Sequence, residues 1–443
     1  MPLSNASVEA PVVEKLRKSA TPSAIAVELD GTLVKTNLLL ELLLGLIRQK
    51  PSLLFFLPFW SLRGKGHLKR QLDLRVLLDP ATLPFRTGLI EYIRAERAEG
   101  RATILAADAD PLLARRVASH LAIFDGVLDR AAIAELGLEW IEHKQRVFKS
   151  AGKGAADCLR ALRLRHWLKN FLLFVPLLAA HRMTETALLG KLLLAFVAFG
   201  CITSSGYLIN DLLDLAADRR HPGKRLRPFA AGDLPLSYGL AAIPVLIAAA
   251  CAIGHLVSGL FLASIFVYLA LGLAYSLYLK KVVLLDVIAL AGLYTIRILA
   301  GSAAVAIWPS HWLLAFSTFL FFSLALVKRY GELEVMRRVD GDTARARAYR
   351  LSDRNLLAAM GIASGYLAVL VLALYINGDA AQILYKRYEL MWLLCPLLLY
   401  WISHFWLTAH RGEMPDDPLV FAVSDRISRI AILLMVAVSV LAI

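Results

Sequence analysis

The chain has 443 residues, of which 58% are hydrophobic, and a mean hydropathy of +0.61. Soluble domains are about half apolar, so this composition indicates a membrane protein and argues against a soluble nucleic-acid-binding protein despite the net charge of +14. The four cysteines are far apart and form no CxxC pair, so they predict neither a zinc site nor a disulfide framework. The N-terminal stretch has no apolar core, and we therefore expect no cleavable signal peptide.

The N-terminal third alternates short apolar strands with helical stretches, which predicts a small α/β domain after a tail of residues 1–22. The predicted strands lie within residues 24–33, 101–108 and 124–129. Between them, LLLELLLGLI and SLLFFLPFW are each too short to cross a bilayer. They predict a helical hairpin that packs on the α/β domain or lies at the membrane interface, and two further spans are the alternative.

From residue 158 onward, apolar segments of spanning length dominate, which predicts an all-α polytopic membrane domain. Basic residues concentrate in alternate loops, and the positive-inside rule places those loops and the N-terminal domain in the cytoplasm. We predict about nine spans, near 166–182, 187–209, 236–254, 256–278, 284–305, 310–327, 355–375, 390–409 and 428–443.

The stretch NDLLDLAAD follows the second predicted span without a proline, so we expect the helix to continue through it. At about 100° per residue, Asn210, Asp214 and Asp218 share one stripe, with Asp211 beside them. Like charges four residues apart destabilise a helix, and Mg²⁺ prefers a few carboxylates together with water and phosphate oxygens. These four residues are therefore the predicted Mg²⁺ ligands. The alternative is an ordinary solvated helix end whose acids pair with nearby arginines.

A basic turn, DRRHPGKRLRP, follows this acidic stripe directly. Guanidinium and ammonium groups beside metal ligands suit a diphosphate, and the predicted ligands in the turn are Arg219, Lys224, Arg225 and Arg227. His221 is equally consistent with a structural role.

Further charged or polar residues lie near the predicted cytoplasmic ends of other spans, and we expect them to converge on one membrane face. Ionisable groups inside apolar segments usually face an interior cavity. The alternative for Asp286 is structural pairing with an arginine, and the alternative for Lys280 is a role as a membrane anchor. The candidates are Lys169, Asn170, Lys280, Asp286, Arg297, Lys328, Arg329 and Tyr330.

The NDxxDxxxD pattern after the second span resembles the UbiA superfamily of intramembrane prenyltransferases, over about residues 160–443. The stretches RHWLKN, SSGYLINDLLDLAADRRHPGKRLRPFAAG, YSLYLKKVVLLD, KRYGELE and VSDR most resemble its decaprenyl-phosphate phosphoribosyltransferase branch. This resemblance implies transfer of 5-phosphoribosyl from 5-phosphoribosyl diphosphate (PRPP) to a polyprenyl phosphate, with Mg²⁺ as cofactor, towards lipid-linked arabinose donors. It also implies a site on the cytoplasmic side of a bacterial inner membrane. The implied catalytic residues are Asp211, Asp214, Asp218 and Asp286, and Tyr207 and Tyr275 join the substrate-binding set.

Superfamily members that act on aromatic acceptors carry a second acidic motif, whereas here the position four after Asp286 is Leu290. That departure favours PRPP as the donor. The alternatives are transfer of a prenyl chain from its diphosphate to an aromatic acceptor and, in a different class, a transporter or scaffold with buried ion pairs. The sequence is also compatible with assembly into a homo-oligomer.

The stretch VELDGTL resembles the DxDGT motif of haloacid dehalogenase-like phosphatases. The nucleophile position holds Glu28, whose extra methylene displaces the carboxylate, and such displacements cost catalysis heavily. The hydroxyl residue of the family's second motif falls on Ala107, and no acidic pair of the GDxxxD kind follows. We therefore predict a degenerate, shortened domain of this kind over residues 23–157, without phosphatase activity, before the UbiA-like domain of residues 158–443.

Overall fold

A computed structural model describes residues 24–107, 112–141, 154–340, 345–346, 348–415 and 417–443. The predicted N-terminal tail lies outside these residues. The chain forms two compact units, of which the first comprises residues up to Leu162 together with Tyr207–Pro244, and the second comprises Arg163–Gly206 and Val245–Ile443. Each unit combines two separate stretches of the chain, so the predicted domain boundary at residues 157–158 stays a prediction.

The first unit is built on a parallel sheet whose strands are β1 Ile25–Glu28, β2 Thr103–Ala107, β3 Gly126–Asp129 and β4 Glu139–Trp140. Their order in the sheet is β3-β2-β1-β4. Ile25 in β1 pairs with Thr103 in β2 and with Glu139 in β4, and Ile104 pairs with Gly126 in β3. The central strands are almost wholly buried, as expected of a parallel sheet covered on both faces. The small α/β region is thus confirmed, and β4 is a strand that the sequence reading missed.

The two apolar runs of the predicted hairpin are helical in the structure, and neither reaches spanning length. They pack with the following helix around Leu42, Leu46, Trp60 and Leu72. The N-terminal helices are α1 Leu38–Gln49, α2 Leu57–Leu62 after a 3₁₀ turn at Pro51–Phe56, α3 Lys65–Asp73, α4 Thr87–Ala98, α5 Leu112–Leu121, α6 Arg130–Glu135 and α7 Ala155–Leu162.

Within the described residues, seven helical segments are long and apolar enough to cross a membrane. Their helices are α9 Thr186–Leu213, α11 Leu236–Val257, α12 Gly259–Leu277, α13 Leu285–Val305, α14 His311–Asp340, α15 Arg354–Ile376 and α17 Leu394–His410. The spanning segment of α17 begins in the preceding 3₁₀ helix and covers Tyr388–His410. The shorter helices are α8 Val175–Ala179, α10 Leu215–Arg220, α16 Asp379–Leu384, α18 Pro418–Ser424 and α19 Arg426–Ala442. The mostly helical membrane architecture is therefore confirmed.

The first and last predicted spans are the two that do not reach this length. The first consists of a 3₁₀ helix, Leu164–Phe174, followed by α8, where Pro176 occupies the first turn and has no amide to donate. The last is α19, which has 17 residues.

Two apolar clusters form the core of the second unit. One gathers α13, α14 and α17 around Phe321, Leu326, Trp401 and Phe405. The other gathers α9, α12 and α13 around Phe199, Phe261 and Ala300. A short antiparallel pair, β5 Arg345–Ala346 and β6 Tyr349–Arg350, follows α14.

Candidate active site

The acidic stripe lies where α9 ends. This helix ends at Leu213, Asp214 has φ −99° and ψ 11°, and α10 begins at Leu215. The amides of Asp214 and Asp218 still donate to the carbonyl oxygens four residues earlier, at 2.9 and 2.8 Å. The helical hydrogen bonds expected through the motif are thus present, with a local distortion at Asp214.

Asp211 and Asp218 converge on the guanidinium of Arg227. Its Nη1 lies 3.2 Å from Oδ1 of Asp211 and 2.5 Å from Oδ2 of Asp218. Both aspartates are buried, being 2% and 5% exposed. Burial raises the pKa of Asp218, and Arg227 opposes that rise. Two buried carboxylates that share one cationic partner show that this face of the motif accommodates a positive charge.

The other two predicted ligands are Asp214 and Asn210. The carboxylate of Asp214 lies 3.5 Å from Nη1 of Arg48 on α1, and Asn210 is half-buried one turn earlier. In the described part of the chain, no group of three His, Cys, Asp or Glu side chains is arranged to hold a metal. The pair Asp211 and Asp218 nevertheless fits Mg²⁺, which takes one or two protein carboxylates and completes its shell with water and phosphate oxygens.

The basic turn contains both engaged and exposed cations. Arg219 forms a two-pronged pair with Glu41 on α1, at 2.5 and 3.2 Å, and its Nε donates to the carbonyl oxygen of Ala230 at 3.0 Å. This guanidinium is buried and bonded on both of its edges, and the role of Arg219 as a phosphate ligand stays a prediction. Arg225 is exposed and Lys224 is half-buried.

His221 and Tyr207 flank the motif. The amides of Gly223 and Lys224 point at Nδ1 of His221, at 3.2 and 3.3 Å, so this imidazole stabilises the turn. That geometry agrees with the structural role considered for His221. Tyr207 is half-buried on α9, one turn before the first aspartate.

In the second unit, Lys169 is held by an acid that the sequence reading missed. Its ammonium forms an ion pair with Asp417, and Nδ1 of His166 lies 3.3 Å from the same oxygen. Burial alone would raise the pKa of Asp417, but Lys169 and its neighbours lower it well below the usual range. Burial lowers the pKa of His166 and favours the neutral ring. The acidic pair in PDDP, just before α18, was the available signal.

Asn170 and Arg297 belong to a separate buried network. Asn170 is fully buried, and its Oδ1 accepts a hydrogen bond from Nε of Arg297 at 3.2 Å. The same guanidinium donates to the hydroxyl of Tyr268 at 2.8 Å. Arg297 is 3% exposed, so the structure gives it packing partners within the helices.

Asp286 and Arg329 form a buried ion pair, which is the arginine pairing considered as the alternative for this acid. They are 1% and 0% exposed. The hydroxyl of Tyr349 donates to Asp286, and Nη2 of Arg329 donates to the hydroxyl of Tyr275 at 2.7 Å. Glu332 also pairs with Arg329 from three residues along α14, a spacing at which helix side chains meet. Asp286 and Arg329 are thus enclosed by each other and by these neighbours, and their roles in catalysis and phosphate binding stay predictions.

The remaining candidates lie within α14 and in the 3₁₀ turn after α12, in the second unit. Tyr330 is 2% exposed, and its hydroxyl lies 2.9 Å from Nδ1 of His410. Together with Trp406 it lines a cavity of about 280 Å³. Lys328 on α14 and Lys280, in the 3₁₀ turn after α12, are half-buried.

Comparisons with known proteins agree with this architecture. The UbiA prenyltransferase family matches residues 171–423, which is more than half of the chain. An uncharacterized protein of Sinorhizobium fredii, y4nM, is 34% identical over 454 residues, covering 90% of this chain and 87% of that protein. Nodulation protein NoeC of Azorhizobium caulinodans is 41% identical over 276 residues, covering 62% of this chain and 89% of that protein. Decaprenyl-phosphate phosphoribosyltransferase of Mycobacterium tuberculosis is 38% identical over 189 residues, covering 41% of this chain and 62% of that protein. The chain therefore belongs to the UbiA prenyltransferase family.

Proposed function

We propose that this transferase moves a 5-phosphoribosyl group from PRPP to a polyprenyl phosphate and releases pyrophosphate, with Mg²⁺ as cofactor. The observation that carries the proposal is the pair of buried carboxylates, Asp211 and Asp218, which share one cation immediately before an exposed basic turn. A diphosphate requires both a metal and several cationic donors. The likeness to the mycobacterial phosphoribosyltransferase supports this donor.

Asp211 and Asp218 are the proposed metal ligands, and Asn210 and Asp214 stand beside them on the same segment. Bound Mg²⁺ would supply charge neutralisation for the leaving pyrophosphate. Arg227 balances the two carboxylates in the structure and would then be available to phosphate oxygens, together with Lys224 and Arg225.

The acceptor in this proposal is the phosphate oxygen of a polyprenyl phosphate. It would form the new bond to C1 of the ribose as the bond from C1 to the pyrophosphate oxygen breaks. A phosphate monoester is already anionic near neutral pH, so the reaction requires no protein base to activate it. The seven apolar helices make the chain a multi-pass membrane protein, and we place the reaction at the cytoplasmic side of a bacterial inner membrane.

We also propose that the α/β head, which is the predicted domain of residues 23–157, has no phosphatase activity. Glu28, at the position of the nucleophile, forms an ion pair with Arg130. Both line a cavity of about 20 Å³, together with Ala107 and Asp30. The nucleophile position is therefore engaged by a cation, and Ala107 offers no hydroxyl to a phosphate. Hydrolysis of a generic phosphate ester by the wild-type protein would contradict this proposal.

The transfer reaction can be tested with the full chain in membranes, supplied with ribose-labelled PRPP, decaprenyl phosphate and Mg²⁺. We expect label in the lipid fraction, and its loss when EDTA is added. Asp211→Asn and Asp218→Asn should each lower the rate by at least about 10–100-fold, the range seen when support of a metal is lost. The control Asp379→Asn changes an exposed carboxylate on α16 and should have no effect.

Two outcomes would overturn the proposed reaction. One is a folded protein that transfers no ribose label to the lipid. The other is transfer of a labelled prenyl group from prenyl diphosphate to 4-hydroxybenzoate under the same conditions, which would establish the aromatic prenyltransferase alternative.

A further inference from the structure

The α/β head and the acidic motif belong to the same compact unit, because Tyr207–Pro244 packs with the N-terminal residues. The closest link between them is the pair of Glu41 and Arg219. Glu41 is 4% exposed, and the side chain of Arg219 is 8% exposed. The hydroxyl of Thr36 donates to the same carboxylate at 2.7 Å. An enclosed pair with these additional hydrogen bonds fixes α10, and hence the position of Asp218, relative to α1.

A second link joins the head to the end of α9. Nη1 of Arg48 donates to the carbonyl oxygen of Leu213, the last residue of that helix, at 3.1 Å. The same nitrogen lies 3.5 Å from the carboxylate of Asp214. A cation at a helix C-terminus satisfies an otherwise unpaired carbonyl and complements the helix dipole. Arg48 thus stabilises the distortion at Asp214 and orients its carboxylate.

A third link lies where the basic turn ends. The ammonium of Lys35 donates to the carbonyl oxygen of Ala231 at 3.2 Å and lies 3.9 Å from Asp233. Gly232 has φ +71°, and a Cβ there would lie 2.9 Å from Cβ of Lys35 and 3.3 Å from Cβ of Pro84. A side chain at this position would therefore meet both a strained backbone and the head.

From these three links, we propose that the α/β head is the scaffold of the acidic motif, and that Glu41 and Arg48 are positioning residues for Asp218 and Asp214. The head holds the segment from the end of α9 to Asp233 in its folded conformation. A consequence for metal binding rests on the proposed function, because it requires that the motif hold Mg²⁺.

The first experiment measures hydrogen–deuterium exchange in the full chain carrying Glu41→Gln. This change removes the charge that balances the buried guanidinium of Arg219, and an unbalanced buried charge favours local opening. We expect the amides of residues 214–221 to exchange about tenfold faster or more, while those of β2 keep their wild-type rate. Thr36→Val is a milder variant that leaves the ion pair intact, and it should give a smaller change in the same peptides.

The matched control is Asp79→Asn. Asp79 also links the head to α10, through Arg220, but this pair is largely exposed, with side chains 43% and 65% exposed. Exposed pairs contribute little, so the exchange of residues 214–221 should stay unchanged. Wild-type exchange rates in both Glu41→Gln and Thr36→Val would overturn the scaffold role.

Two further readouts separate positioning from general stability. The reversed pair, Glu41→Arg with Arg219→Glu, should restore slow exchange, because it re-forms the ion pair across the same interface. Titration with Mn²⁺, followed by electron paramagnetic resonance, should show weaker binding for Glu41→Gln and recovery in the reversed pair. If the wild type binds no Mn²⁺, the proposed metal site fails, while the exchange measurements still decide the scaffold role. If the reversed pair does not recover slow exchange, the scaffold role is contradicted.

Discussion

The buried cluster around Asp286 gives a quantitative prediction, because each of its polar atoms has an identified partner. Asp286 accepts hydrogen bonds from Arg329 and from the hydroxyl of Tyr349. That hydroxyl in turn accepts from the amide of Leu284 at 3.0 Å. We consider two substitutions that preserve shape, Tyr349→Phe and Asp286→Asn.

The magnitudes follow from the bonds that each change removes. Tyr349→Phe loses one hydrogen bond to a charged group, worth about 1.5–3 kcal/mol, and one neutral bond, worth about 0.5–1.5 kcal/mol. We therefore expect the free energy of unfolding to fall by about 2–4.5 kcal/mol. Asp286→Asn breaks a buried ion pair, for which about 3–5 kcal/mol is typical. The lower end applies because Glu332 still neutralises Arg329.

Both substitutions act on the bond between the tyrosine and the aspartate: Tyr349→Phe removes its donor, and Asp286→Asn replaces its charged acceptor by a neutral one. The double variant should therefore lose less than the sum of the single losses, by about 1–1.5 kcal/mol, the difference between a charged and a neutral hydrogen bond. The measurement is equilibrium unfolding in mixed micelles, followed by tryptophan fluorescence. The control is Tyr278→Phe, whose side chain is 64% exposed and which should change stability by less than about 0.5 kcal/mol.

The competing interpretation is that Asp286 takes part in catalysis. It predicts that Asp286→Asn abolishes transfer while the protein unfolds at the wild-type detergent concentration. That result, with additive effects in the double variant, would refute the structural role derived from the buried pair.

Two further predictions concern the second unit. Gly301→Ala should destabilise the protein by about 1–3 kcal/mol or more, because the new Cβ would lie 2.0 Å from the carbonyl oxygen of Leu173. The control in the same unfolding assay is Gly272→Ala, whose Cβ would have no atom within 4 Å. Asp417→Asn should destabilise the protein equally from about pH 8 to pH 5. The reason is that Lys169 and its neighbours lower the pKa of Asp417 in the folded state below the ordinary 3.8, although burial alone would raise it. The stability that this carboxylate contributes is present above the ordinary pKa and is lost only as the pH falls through the folded pKa. If the difference in stability between the wild type and Asp417→Asn disappears near pH 6, the ion pair of Asp417 with Lys169 is contradicted.

The membrane helices could be predicted from sequence because a span depends on local composition. A run of about 20 apolar residues is sufficient to indicate one, and seven predicted spans correspond to helices of the required length. The first predicted span does not correspond to a helix of that length, because its segment begins with a 3₁₀ helix and Pro176 lies in the first turn of the short helix that follows. The last, α19, has 17 residues and falls just short.

The proximity of the acidic residues in the motif could also be predicted from sequence, but the partner of each charge could not. Helical periodicity placed Asp211 and Asp218 on nearby faces, since both lie on one short segment. Glu41, the partner of Arg219, is 178 residues away, and Arg329 is 43 residues from Asp286. Such partners are determined by tertiary packing, and no local pattern identifies them.

Burial separates the cations of this chain into two classes. A guanidinium that leaves water must be balanced by charge and hydrogen bonds, and Arg219 and Arg329 are both surrounded by such partners. Their charge is balanced within the folded chain, so it adds little attraction for a substrate. Arg225 is exposed and Lys224 half-buried on the turn after the acidic pair. The sequence analysis gave Arg219, Lys224, Arg225 and Arg227 the same role, whereas the structure separates the buried Arg219 from Lys224 and Arg225, which remain accessible to a phosphate.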